Sequence, residues 1–230
     1  MRDIDTTETT RAPAAAISLR DATSEDAEFL ARVMLIATRS HLGRGAWDYL
    51  LGWEESATLE FLAQLAVSEP EHLFTYSRFV VATVDGEPAA AASGYRPERH
   101  GFAVYLPVFD ELLRTNGVTD PEYSQIWARG DVLQSAGAGP VAPGAWIIES
   151  VATLPAFRGM GLVDRLLADL LQRGTASGCD RALIETVFVG NDPARRAYLK
   201  HGFLPVRETS GDGWQDIFGS PGFEILERLL

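Results

Sequence analysis

Ile17 and Leu19 alternate with polar neighbours, the period-two signature of a half-buried strand. Directly after them, Phe29, Leu30, Val33, Met34 and Ala37 recur at helical spacing and predict a first helix. Thr23 stands where a cap belongs, with Asp26 placed to reach back to its backbone. A second helical pattern covers Ser56 to Val67, with Leu59, Leu62, Ala63 and Ala66 inward. The segment between them, His41 to Trp53, is too aromatic for an idle linker, and Trp47, Tyr49 and Trp53 either shape a pocket or simply pack.

Phe79 to Val84 is rich in β-branched residues and reads as a strand, Asp85 and Gly86 as a hairpin turn, and Pro88 to Tyr95 as the return strand. Alanine is a poor strand former, so the Ala89 to Ala92 run counts as strand chiefly because a turn precedes it. Residues 96–144 carry helical patterns near Tyr105 to Arg114 and Glu122 to Leu133, then a linker of Gly, Ala and Pro ending at Gly144. Trp146 to Thr153 is a near-continuous apolar run. A proline turn follows, then Arg158-Gly159-Met160-Gly161, and a helix whose core face is Leu166, Leu167, Leu170 and Leu171, with Gly178 as its stop. Arg181 to Val189 reads as a fifth strand. Asn191 caps a helix that Pro193 opens and Gly202 ends. Gly202 and Phe203 open a sixth strand, Phe223 to Leu229 forms a seventh, and Trp214 and Phe218 lie between them. No internal repeat is visible.

Two features of this pattern suggest chemistry. A glycine-rich turn before a helix converges backbone N–H groups at the positive end of the helix dipole and makes an anion cradle, although glycine there also serves as plain punctuation. Glu149 is the one charge in its strand. A carboxylate in a strand buried on both faces costs several kcal/mol unless solvated or paired, so Glu149 implies an exposed cleft or an edge position facing water or an arginine.

Together the two motifs resemble the GNAT family of N-acetyltransferases. The family's acetyl-CoA signature is Gln or Arg, two residues, Gly, one residue, then Gly or Ala; Arg158, Gly161 and Val163 fall on it, with Val163 departing at the third position. The family's second pattern, NxxAxxxYxxxGF, is matched without a gap by Asn191, Ala194, Tyr198, Gly202 and Phe203. The resemblance is sharp over Trp146 to Arg207 and architectural elsewhere.

The resemblance implies an α/β (α+β) GNAT fold: a mixed sheet of about seven strands flanked by helices, with a helical insertion between strands 3 and 4. It implies acetyl-CoA as co-substrate and direct transfer to an amine in a ternary complex. Catalytic roles then fall to Glu149 as general base and Tyr198 as the acid that protonates departing CoA. Tyrosine suits that task because its reference pKa of about 10 keeps it neutral at pH 7. Cofactor contacts fall to the backbone of Val151, Ala152 and Thr153 for the pantetheine arm, and to Arg158, Gly159, Met160, Gly161, Leu162 and Val163 for the pyrophosphate. Asn191 serves as helix cap, cofactor contact or both. The favoured acceptor is a small-molecule amine; the alternatives are a protein amino-terminus or lysine, or a non-catalytic acyl-CoA sensor. In the family, the stretches around Trp47 to Trp53 and around Trp214 and Phe218 often border the acceptor pocket.

Composition narrows the setting. The chain has 230 residues, 46% of them apolar, enough for one domain over 16–230 with 1–15 as a disordered leader and 96–144 as a lid or homodimer contact. No run approaches the roughly twenty apolar residues that cross a bilayer, and the acidic start does not read as a signal peptide, so the expected location is cytoplasmic. Cys179 is the sole cysteine, which excludes an internal disulfide and a multi-cysteine metal site. A net charge of −12 argues against a nucleic-acid partner. His41, His72, His100 and His201 show no ligand spacing; no metal is expected, and these histidines are read as surface or loop residues.

Overall fold

The computed structural model describes residues 15–135, 143–211 and 213–230; the leader and most of the glycine-rich linker lie outside them. The chain runs β1 (Ile17–Asp21), a 3-10 turn (Ser24–Asp26), α1 (Ala27–Arg39), α2 (Ala46–Leu51), α3 (Glu55–Ala66), β2 (Phe79–Val84) and β3 (Glu87–Tyr95). The insertion supplies α4 (Pro97–His100), α5 (Phe102–Thr115) and α6 (Asp120–Ser135). Then come β4 (Ala145–Thr153), α7 (Leu162–Ala176), β5 (Arg181–Phe188), α8 (Asp192–Lys200), β6 (Leu204–Ser210), α9 (Trp214–Phe218) and β7 (Gly222–Leu229). Asp26 does reach back: its carboxylate accepts the Thr23 backbone N–H at 2.8 Å.

The strands form one mixed sheet in the order β1-β2-β3-β4-β5-β7-β6. Every neighbouring pair is antiparallel except β4 and β5. Two cores sandwich it. On the first face, Tyr95, Ile147, Leu183 and Ile225 meet α1, α3 and the insertion; on the second, Ala90, Ala92, Trp146, Ile148 and Ile184 meet α7 and α8.

The alanine run is a strand because close approach requires small residues there. Ala89 to Ala92 are wholly buried, and a Cβ on Gly94 would come within 2.6 Å of the Trp146 ring. A Cβ on Gly174 of α7 would come within 2.8 Å of the same indole, so Trp146 fills the space that glycine on both sides leaves open.

The insertion belongs to the first core. Tyr105, Val108, Phe109 and Leu113 of α5 and Ile126 of α6 are buried in it, and Glu122 accepts the Trp53 indole N–H at 2.6 Å. Trp47, Tyr49 and Trp53 pack: their rings lie 5.1 Å from Phe74, 5.6 Å from Phe218 and 5.4 Å from Phe61 respectively. Trp214 and Phe218 pack likewise, 4.9 Å apart.

His72 lies in the loop after α3, as expected, but away from the surface. It is fully buried, its Nδ1 accepts the Phe74 backbone N–H at 3.1 Å, and burial pulls its pKa down to about 4. The ring is therefore neutral and its Nε2–H donates to Ser68 Oγ at 3.0 Å.

Candidate active site

The parallel ladder between β4 and β5 is short. It pairs Ala145 with Arg181, Trp146 with Ala182 and Ile147 with Leu183, and then stops. Both strands continue, so beyond Ile147 and Leu183 a cleft opens in the middle of the sheet.

A bulge marks each side of this opening. On β4, Glu149 still faces Ser93 of β3, yet Ala152 faces Ala91, so Ser150 and Val151 together oppose Ala92. Ser150 takes a φ of +52°, uncommon for a residue with a Cβ. The extra residue switches sides. Before it, Ala145 and Ile147 face the first core; after it, Ala152 does. On β5, Glu185 and Thr186 together oppose Ile225 of β7, and the face changes from Leu183 to Phe188.

Glu149 thus lies on the first face at the mouth of the cleft, partly accessible to solvent. Its Oε2 accepts the Tyr95 hydroxyl at 3.0 Å, and Ser93 Oγ donates to its backbone carbonyl at 3.1 Å. Burial and the neighbouring Glu185 carboxylate push its pKa up to about 7, against the pull of the Tyr95 hydrogen bond. The carboxyl group can therefore accept a proton near neutral pH. Sequence reasoning had missed Glu185, whose own pKa burial lifts to about 6 against the pull of Arg207. It was visible by the rule that singled out Glu149: a lone acid in an otherwise apolar stretch.

Val151 and Thr153 are partly accessible and Ala152 is buried, all on the stretch of β4 beyond the β5 ladder. Pro155 to Phe157 make one 3-10 turn, after which Gly159 and Gly161 take φ of +82° and +72°. Gly161 is the N-cap of α7. A Cβ built on either glycine would meet no protein atom within 4 Å, so the space over this loop is open to a ligand. Leu162 is buried in the second core, with Met160 and Val163 packed against it, while Arg158 points out and is exposed. What faces the open side is backbone N–H at the positive end of α7, which suits a diphosphate.

Across α7, Asp164 pairs with Lys200 at 2.5 Å and with His201 at 3.0 Å, fixing the start of α7 to the end of α8. Asn191 caps α8, its Oδ1 accepting from Ala194 N at 3.3 Å, and its Nδ2 donates to Ser40 Oγ at 2.6 Å. Both polar atoms of Asn191 are therefore engaged within the protein. Tyr198 is buried in the second core, its ring 6.2 Å from Phe203, and burial drives its phenol well above the ordinary value. The sheet therefore separates the Glu149 side from the Tyr198 side.

Two surface hollows lie apart from Glu149 and Tyr198. One, of about 430 Å³, runs between α1, α3 and the proline turn, with Arg32, Leu59 and Phe157 on its walls; the other lies against α7 near His201 and Arg228. Among the described residues, no helix is long and apolar enough to cross a membrane, and no cluster of acidic, His or Cys side chains could hold a metal.

The acetyltransferase (GNAT) family model matches residues 44–203, more than half of the chain. Among solved structures, an acetyltransferase is 23% identical, with 92% of this chain and 98% of that one covered at a TM-score of 0.65. An N-acetyltransferase from Staphylococcus aureus Mu50 is 18% identical, with 92% and 100% covered at 0.65. A GCN5-related N-acetyltransferase from Kribbella flavida is 17% identical, with 94% and 98% covered at 0.58. No curated protein is similar enough in sequence to count as a relative.

Proposed function

Because the chain belongs to the GNAT acetyltransferase family, we propose that it carries an acetyl group from acetyl-CoA to a primary amine on a small molecule, by direct attack with both substrates bound. The observation that carries this reading is Glu149: a carboxylate with a pKa near 7, at a bulge, beside the cleft where the β4 and β5 ladder ends.

Each residue then has a task. Gly159 to Val163 hold the diphosphate through backbone N–H groups, with Arg158 free to add its charge. The unpaired edge of Val151, Ala152 and Thr153 hydrogen-bonds the pantetheine arm and aligns the thioester. An amine arrives mostly as its ammonium, which has no lone pair to attack with; Glu149 takes that proton, directly or through one water. Nitrogen then bonds the acetyl carbon as the carbon–sulfur bond breaks, Tyr198 gives its proton to the leaving sulfur, and the proton that the nitrogen sheds on becoming the amide passes to solvent, from which the Tyr198 oxygen is reprotonated. Asn191 acts as the cap that aims α8, and hence Tyr198, at the cleft.

A small acceptor is favoured because α5 and α6 cover the face on which Glu149 sits, and Tyr105 of α5 is close enough to feel its charge. A polypeptide acceptor would need that wall to part. The test is product analysis by mass spectrometry after incubation with acetyl-CoA and parallel panels of small amines and peptides. Acetylated small amines support the reading; acetylation confined to peptides, or none with acetyl-CoA bound, replaces it with the protein-acceptor or sensor reading.

A further inference from the structure

The proposed base has a neighbour whose role the motifs do not assign, and the following inference rests on reading Glu149 as that base. Extending the parallel register two residues past Ile147 and Leu183 brings Glu149 and Glu185 abreast, where no ladder joins the strands. Both lie on the first face, because Ile147 and Leu183 two residues earlier both face that core. Glu149 is the last paired residue before its bulge, and Glu185 is the first residue of the other. The two carboxylates therefore share one face and one level of the cleft, and Glu185 is near enough for its charge to act on Glu149.

Their surroundings offer little compensation. From β3, Tyr95 gives Glu149 its one side-chain hydrogen bond; from α5, Tyr105 adds a buried phenol. From β6, Arg207 attracts Glu185 through space; its cross-strand partner Ile225 faces the same core. Among the described residues, neither acid is joined to a cation by an ion pair.

We propose that Glu149 and Glu185 share one proton in the acceptor-free enzyme, and that Glu185 is a positioning residue that keeps Glu149 basic enough to deprotonate the acceptor ammonium. Two carboxylates abreast in a cleft only partly open to solvent cannot both ionise cheaply. Burial and the Glu185 charge raise Glu149 to about 7, whereas burial alone lifts Glu185 to about 6 against the pull of Arg207, so the proton rests first on Glu149. An incoming ammonium supplies the missing positive charge. It stabilises the doubly ionised pair, the shared proton leaves to solvent, and Glu149 then takes a proton from the ammonium nitrogen. The substrate thus switches on its own base.

The test is the pH profile of kcat/KM for the wild-type enzyme, Glu185→Gln and Glu185→Asp, with acetyl-CoA and an accepted amine. Removing the second charge should move the acidic limb about one unit lower, while Glu185→Asp should keep the wild-type limb. A lower kcat with an unmoved limb in Glu185→Gln would mean a structural role and overturn the proposal. Should Glu185→Gln fail to fold, carboxyl carbon NMR on Glu149→Gln decides the matter. Glu185 should titrate about one unit lower there than in the wild type, and an unchanged titration overturns the pair. The NMR needs no turnover, so it separates failure of the pair from failure of the acetyltransferase reading.

Discussion

The hydroxyl of Tyr95 donates to Glu149 Oε2 at 3.0 Å, joining the last residue of β3 to the one acidic side chain of β4. The bond favours the ionised carboxylate and so lowers the pKa of Glu149. Without it the pKa would rise further, and a base that must be ionised to act would be lost at higher pH. Tyr95→Phe should therefore move the acidic limb of kcat/KM up by about one unit, since a hydrogen bond to a charged group contributes about 1.5 kcal/mol or more. An unmoved limb would detach Tyr95 from the site.

Glu149 should also be visible in stability. Its folded pKa of about 7 lies above the ordinary 4.5, so the folded state binds the proton more tightly than the unfolded chain. That contribution is fully present below pH 4.5 and is lost as pH rises through 7. Glu149→Gln should consequently be more stable than the wild type at pH 8, by up to about 3 kcal/mol before partial exposure trims the value, with the gap closing towards pH 5. Urea midpoints of both proteins at the two pH values check this; a gap independent of pH contradicts it.

Tyr198→Phe should lower kcat by about a hundredfold and leave acetyl-CoA affinity and stability nearly unchanged. The stability expectation follows because the phenol oxygen makes no hydrogen bond to the described residues, while the ring keeps its packing on Phe203. Stopped-flow turnover and calorimetric binding of acetyl-CoA separate the two effects. Unaltered turnover removes Tyr198 from the mechanism.

Gly161 and Gly178 both hold left-handed backbone, at φ of +72° and +76°, but only Gly161 borders the proposed diphosphate loop. Alanine at either position should cost about 1 kcal/mol of stability. Gly161→Ala should in addition weaken acetyl-CoA about tenfold, while Gly178→Ala leaves it unchanged. Equal effects on binding at the two positions would mean that the loop does not hold the diphosphate.

What could be read from the sequence was what repeats. Helical spacing placed α1, α3, α5, α6 and α7 to within a few residues, and the two motifs placed β4, α8 and the glycine turn. The bulges could not be read: nothing in Glu149-Ser150-Val151 announces that Ser150 adopts a positive φ and turns the strand over. That reversal depends on pairing with β3, which lies more than fifty residues away and which no local pattern encodes. Glu185 was overlooked because it lies outside both motifs, although its isolation among Leu183, Ile184 and Val187 was the same signal as at Glu149. His72 does lie in a loop, but its burial was not legible because no apolar periodicity surrounds it. The Ser68 hydroxyl and the Phe74 backbone N–H satisfy its ring and permit burial.

The central claim is that Glu149 accepts the amine proton during acetyl transfer. Its most direct test is release of free thiol from acetyl-CoA at pH 8 by the wild type and by Glu149→Gln, each with and without an accepted amine. Release should require the amine in the wild type and fall at least about a hundredfold in Glu149→Gln, with acetyl-CoA still bound. Amine-dependent release at equal rates in the two proteins would contradict it.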